Sequence, residues 1–249
     1  MTSVDQLTVT VHSDAQAAGV AAGNEAAALL RLLTAEGEAR VVFAAAPSQA
    51  VTLAVLAAAD GIDWSAVTCF HMDEYRGLPA DHPRRFAKWL DDAIFNRVHP
   101  VRVERLSPER HGEADRYAAL LAEAPIDLVC YGIGENGHLA FNEPGVTRFD
   151  DPDDVVEVTL DKSSRSQQVH DGLFTSLDEV PKTALTLTVP RLLRSAAMTG
   201  TVIGSHKADA VALLVDGEIS ERCPSSAVRG HPHSTLHIDA NAASRSSLT

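Results

Sequence analysis

Cysteine is scarce in this sequence. Its three residues, Cys69, Cys130 and Cys223, are far apart, odd in number and form no CxxC pair. A zinc ribbon and a disulfide framework are thereby excluded, and buried free thiols are expected. Aromatic residues make up only 5% of the chain. No apolar run approaches the ~20 residues that a membrane-spanning helix needs. The opening MTSVDQLTVTVHSD lacks a basic flank followed by an apolar stretch, so no secretory signal is expected and the reading is cytoplasmic. Positive charge is also in deficit: 21 Lys and Arg stand against 34 Asp and Glu, a formal net charge of −13. The densest basic cluster is Pro-Arg-Arg at 83–85, too small to draw a phosphate backbone, so no nucleic-acid partner is expected. A hydrophobic share of 45% over 249 residues suffices for a sizeable core, and one domain over 1–249 is expected.

What is present is alternation. Strand-like runs at Leu7–Val11, Val41–Ala44, Val67–His71, Asp127–Tyr131, Val155–Leu160, Thr183–Thr188, Met198–Ile203 and Ser234–Ile238 are separated by helical segments. The helices are read over 15–35, 48–59, 81–98, 114–124, 163–172 and 205–214. Asp81, with Pro83 in the first turn, is the expected cap of the third helix. The polar, Ser-rich stretch 241–249 is expected to fray. This order predicts an α/β fold: a three-layer αβα sandwich around a mostly parallel, Rossmann-like sheet. Ligands of such sheets bind beyond the carboxyl ends of the strands.

Five segments fall at such ends. Ala44-Ala-Ala-Pro-Ser-Gln49 combines small residues with a helix start, so Pro47, Ser48 and Gln49 are candidate anion binders; alternatively Ser48 only caps its helix. The segment fits neither GxGxxG nor a P-loop. Phe70-His-Met-Asp-Glu-Tyr-Arg-Gly places two carboxylates directly after an apolar strand. As chain neighbours, Asp73 and Glu74 point different ways, one available for proton transfer and the other structural. GIGENGHLAFNEPG at 132–145 sets Gly132, Gly134 and Gly137 before His138, with Glu143 five residues on. Imidazole plus carboxylate in a glycine-bounded loop is an acid–base set. Gly204-Ser-His-Lys puts Lys207 in a first helical turn, where an anion offsets its clash with the helix dipole. In the segment 160–168, Arg165 pairs either with a phosphate or with Asp161. The 11 histidines form no HExxH pair, and no metal is expected; His71, Asp73 and His138, or His231 with His233, are the alternative grouping. A GxSxG elbow is absent.

FHMDEYRGLPADHP at 70–83 and GIGENGHLAFNEPG at 132–145 resemble the two signature segments of the glucosamine-6-phosphate deaminase family. The resemblance extends in order through the APSQ loop, VPKTALTLT at 180–188 and GSHKA at 204–208. That family shares its fold group with 6-phosphogluconolactonases, ribose-5-phosphate isomerases and CoA transferases. The resemblance implies Asp73 as the base that moves a proton between C2 and C1, His138 as the ring-opening imidazole, and Glu143 as its support. It implies a 6-phosphate bound near Ser48 and Lys207, and no metal or organic cofactor. The expected partner is a small sugar phosphate, and a homo-oligomer is compatible with the family. Gly132, Gly134 and nearby N–H groups are expected to face a developing oxyanion. The sequence departs from the family at Asn136, where better-known deaminases carry aspartate; an amide orients an imidazole without stabilising its cation. It also departs where the family's phosphate-binding arginine would stand, among Gln167, Gln168 and His170. The alternatives are a 6-phosphogluconolactonase-like hydrolase, a galactosamine-6-phosphate deaminase and a non-catalytic sugar-phosphate sensor.

Overall fold

The computed structural model describes residues 1–248. Its strands are β1 (Thr2–Val4), β2 (Leu7–His12), β3 (Ala39–Phe43), β4 (Val67–His71), β5 (Asp73–Tyr75), β6 (Arg102–Val103), β7 (Leu128–Tyr131), β8 (Val155–Thr159), β9 (Thr183–Leu187), β10 (Ala197–Val202) and β11 (Ser234–Asp239). The helices are α1 (Ala15–Glu36), α2 (Ala50–Ala58), α3 (86–98, with a π-helical turn at Asp91–Phe95), α4 (Glu113–Ala122), α5 (Lys162–His170), α6 (Val189–Leu193), α7 (Ala208–Asp216) and α8 (Ala240–Ala243).

Eight strands form the central sheet, in the order β1-β2-β11-β10-β7-β3-β4-β6. All pairs are parallel except β1 with β2. Successive side chains of a strand alternate faces, and here both faces are buried. Val42, Phe70, Val129 and Tyr131 pack on one side with Tyr117 and Leu121 of α4 and Val211 and Leu214 of α7. Val41, Phe43, Cys69, Leu128 and Cys130 pack on the other with Leu30 of α1, Leu53 of α2 and Phe95 of α3. The three-layer expectation holds, and the three cysteines are free and buried.

Three expectations are corrected. First, the runs at Val155–Leu160 and Thr183–Thr188 do not join the central sheet. As β8 and β9 they form a separate antiparallel sheet, ordered β5-β9-β8, in which Asp73 of β5 is in register with Thr186. The physical sign is the alternating burial of β8, one face covered and one open, which antiparallel strands tolerate. Second, Asp81 does not cap α3, which begins only at Phe86. Third, 241–248 does not fray: Ala242 and Ala243 are fully buried in the core, and Asp239 caps α8 through Ala242 N–H at 2.8 Å. Thr249 lies outside the described residues.

Candidate active site

Four adjacent strands of the sheet, β10, β7, β3 and β4, end at one place. The segments that follow them line a cavity of about 240 Å³. Pro47 and Ser48 come from the turn after β3, Asp73 from the turn after β4, Gly132 and His138 from the loop after β7, and His206 and Lys207 from the turn after β10. Helix α5 and its C-terminal cap close the cavity with Gln167, Gln168 and Asp171. Of the ten predicted site residues, six therefore meet in one space. Asn136, Glu143, Gln49 and Gly134 stand behind it.

The two neighbouring carboxylates separate as strand geometry requires. Asp73 faces the cavity. Burial, and next the Glu74 charge, hold its pKa well above the usual carboxylate range. Glu74 turns the other way and is fully buried. Its carboxylate accepts from Phe86 N–H at 3.2 Å and Ala87 N–H at 3.0 Å, the first turn of α3, and lies 3.4 Å from Arg85. Glu74 thus supplies the cap expected of Asp81. Burial still raises its pKa, against the pull of those hydrogen bonds and Arg85.

The loop 132–145 is folded around His138. Gly134 N–H donates to His138 C=O at 2.9 Å, and a Cβ on Gly134 would stand 2.2 Å from the imidazole. Only glycine lets the ring lie there. That N–H is spent inside the loop, so it does not face the cavity as an oxyanion donor. Gly132 does line the cavity. Ala140 sits at φ +51°, a left-handed conformation that costs a non-glycine residue about 1–2 kcal/mol. Thr186 Oγ1 accepts from Phe141 N–H at 3.1 Å, and Asn142 Nδ2 donates to Leu139 and Leu187 carbonyls, which holds the loop in this shape.

The imidazole does not touch the carboxylate expected to support it. His138 Nδ1 lies 3.9 Å from Glu143 Oε2, and the hydroxyl of Ser164 stands between them. Ser164 Oγ is 2.8 Å from Nδ1 and donates to Glu143 Oε2 at 2.8 Å. Ser164 was not singled out by sequence. Its signal is the Asp161-x-x-Ser164 spacing of a helix start: Asp161 Oδ1 accepts Ser164 N–H at 2.6 Å, which turns the hydroxyl inward. Asn136 also misses the ring. Its Nδ2 donates to Glu143 at 3.0 Å and Asp161 at 3.2 Å, while its Oδ1 accepts His138 N–H at 3.1 Å. Burial, then the Lys207 charge, lower the pKa of His138 to about 3, so the ring is neutral. Burial raises the pKa of Glu143, opposed by hydrogen bonds from Ser164 and Asn136.

Ser48 and Lys207 lie in turns that lead into α2 and α7, so two helix starts converge on the cavity. Burial lowers the pKa of Lys207 to about 8, partly offset by Asp171 and Glu135. Gln49 is withdrawn; its Nε2 donates to Thr201 C=O at 3.0 Å and braces the turn. Arg165 pairs with neither Asp161 nor the cavity; it donates to the carbonyls of Leu177 and Val180. His170 points outward, 3.5 Å from Glu135. The alternative metal grouping does not form, because His71 is engaged elsewhere: its Nδ1 bonds Asp73 C=O at 2.8 Å and its Nε2 accepts Leu106 N–H at 2.9 Å.

A parallel sheet whose carboxyl ends gather a carboxyl, an imidazole and a lysine in one cavity is an arrangement suited to acid–base chemistry on an anionic ligand. The model of the glucosamine-6-phosphate isomerase/6-phosphogluconolactonase family matches residues 12–237, and the chain belongs to that family. A glucosamine-6-phosphate deaminase of Streptococcus equi subsp. zooepidemicus is 32% identical over 229 residues, 89% of this chain and 94% of that one. A deaminase of the same name from Bacillus cereus is 33% identical over 186 residues, 74% of this chain and 69% of that one. Among solved structures, a monomeric glucosamine-6-phosphate deaminase superposes with a TM-score of 0.87 at 28% identity, covering 96% and 99% of the two chains. A 6-phosphogluconolactonase from Trypanosoma brucei, TM-score 0.77 at 15% identity over 95% and 97% of the chains, shares the fold.

Proposed function

We propose that this chain is a glucosamine-6-phosphate deaminase, converting the 2-amino-2-deoxyhexose 6-phosphate and water to fructose 6-phosphate and ammonia. The observation that carries the reading is the shared cavity: Asp73 and His138 open into it together, with Lys207 and two helix starts on the same lining. The separation of roles follows from the chemistry of each group. Neutral His138 takes the O1 proton and delivers one to the ring oxygen as the C1–O5 bond breaks. Asp73, as carboxylate, removes the C2 proton; the electron pair forms the C1–C2 double bond, and O1 takes a proton from the substrate's own ammonium. The protonated Asp73 then gives its proton to C1, and the double bond moves to C2–N. Water adds to C2, the C–N bond breaks and ammonia leaves.

The raised pKa of Asp73 suits this work. A strong base is needed at C2, and the incoming ammonium group offsets the burial that disfavours the carboxylate. Lys207 and the helix starts suit a phosphate. We further propose a cytoplasmic role in N-acetylglucosamine catabolism. Stoichiometric release of ammonia and fructose 6-phosphate from glucosamine 6-phosphate tests the reading. Hydrolysis of 6-phosphogluconolactone without ammonia release would replace it with a lactonase.

A further inference from the structure

We propose that Ser164 is a positioning residue that fixes the tautomer of His138, leaving Nε2 as the proton acceptor toward the cavity. The inference rests on the deaminase reading only for its kinetic consequences, because the tautomer itself is a property of the free protein. A serine hydroxyl has one proton. Ser164 Oγ gives it to Glu143 Oε2 at 2.8 Å. At 2.8 Å from His138 Nδ1, the same oxygen can then act only as acceptor, so Nδ1 carries the ring proton. Nε2 is left with its lone pair. Glu143 is held as an acceptor by three donors: Ser164, Asn136 Nδ2 at 3.0 Å and Asp161 N–H at 3.3 Å.

The relay also ties the base to the substrate-facing helix. Ser164, Gln167, Gln168 and Asp171 lie at i, i+3, i+4 and i+7, one face of α5 and its cap, and the last three line the cavity. One helix face thus holds both the histidine tautomer and the cavity wall. Without the hydroxyl, Nδ1 faces Glu143 across 3.9 Å with no hydrogen bond, and the ring is free to carry its proton on either nitrogen.

Two measurements test this. Nitrogen-15 NMR of His138 in the wild-type protein is expected to show a protonated Nδ1 and a lone-pair Nε2. A protonated Nε2 overturns the proposal whatever the activity. In steady-state kinetics with glucosamine 6-phosphate, Ser164→Ala is expected to lower kcat about tenfold or more with KM within about twofold. Ser164→Thr, which restores the hydroxyl, is expected to recover most of kcat and the wild-type nitrogen pattern. A Ser164→Ala variant with wild-type kcat overturns the positioning role. Should the alanine variant fail to fold, the wild-type nitrogen pattern and the threonine variant still decide. Absence of ammonia release by the wild type overturns the deaminase reading and leaves the tautomer measurement intact.

Discussion

At Asp73, burial and chemistry pull in opposite directions. Its pKa is raised, so the fold loses stability as pH climbs from the ordinary carboxylate value to the raised one, where the loss is complete. An amide of the same shape has no such cost. Asp73→Asn is therefore expected to lose deamination by roughly 10²–10⁴-fold while melting at a higher temperature than wild type. The gap in Tm should widen as pH rises from about 4, the ordinary carboxylate value, and level off once Asp73 ionises in the folded protein; a gap that narrows with rising pH contradicts the burial assigned to this carboxyl. Lys207 gives the second residue-scale expectation. With a pKa of about 8 it is charged below that pH and neutral above it, until a bound anion holds its proton. Lys207→Ala should raise KM about tenfold at pH 7, since a charge-assisted contact contributes about 1.5–3 kcal/mol. KM ratios measured across pH 6.5–9.5 should shrink above pH 8; a ratio independent of pH would mean that the lysine charge does not hold the substrate.

Two elements carry the site, and they differ in how far the sequence exposes them. The loop 132–145 is legible because its glycines, histidine and carboxylate are contiguous. Gly134→Ala should displace the imidazole that lies against it, cutting kcat by more than tenfold with the far-UV spectrum unchanged. Retained kcat would show that the ring has room the structure does not give it. The second element, the small sheet β5-β9-β8 with α5, is less legible. Strand β5 has three residues, too few for a period to register, and its partner β9 is more than a hundred residues away in the chain. Ser164 is likewise out of reach of any local pattern with His138, 26 residues earlier in the chain and on a different element. The start of α3 is hidden for a related reason: Asp81 satisfies a local capping rule, but Glu74 reaches the free N–H groups from outside the helix. Glu74→Ala should destabilise the fold by about 3–5 kcal/mol, the loss for a buried partner of Arg85. Asp81→Ala should stay within about 0.5 kcal/mol. Urea unfolding of both variants checks the pair; equal costs would return the cap to Asp81.

For the molecule as a whole, strand–helix order and the rule that ligands bind at carboxyl strand ends were enough to place the cavity. The order in the sheet explains why. Strands β3 and β7 are neighbours, and the chain runs outward from them in opposite directions, through β4 and β6 on one side and β10 and β11 on the other. The turns that leave β3, β4, β7 and β10 are thus brought side by side from positions near 44, 72, 132 and 203. What the sequence concealed were contacts made across the chain: Ser164 on His138, Gln49 on Thr201, and the packing of Ala242 and Ala243 that keeps 241–248 in place. The central claim is that this gathering of Asp73, His138 and Lys207 deaminates an amino sugar phosphate. Its most direct test is to give the purified protein glucosamine 6-phosphate and 6-phosphogluconolactone in turn, and to follow ammonia, fructose 6-phosphate and acid release. The predicted result is ammonia and fructose 6-phosphate in equal amounts from the first substrate, abolished in Asp73→Asn, with no enzymatic hydrolysis of the second. Acid release from the lactone with no ammonia from the amino sugar would contradict it.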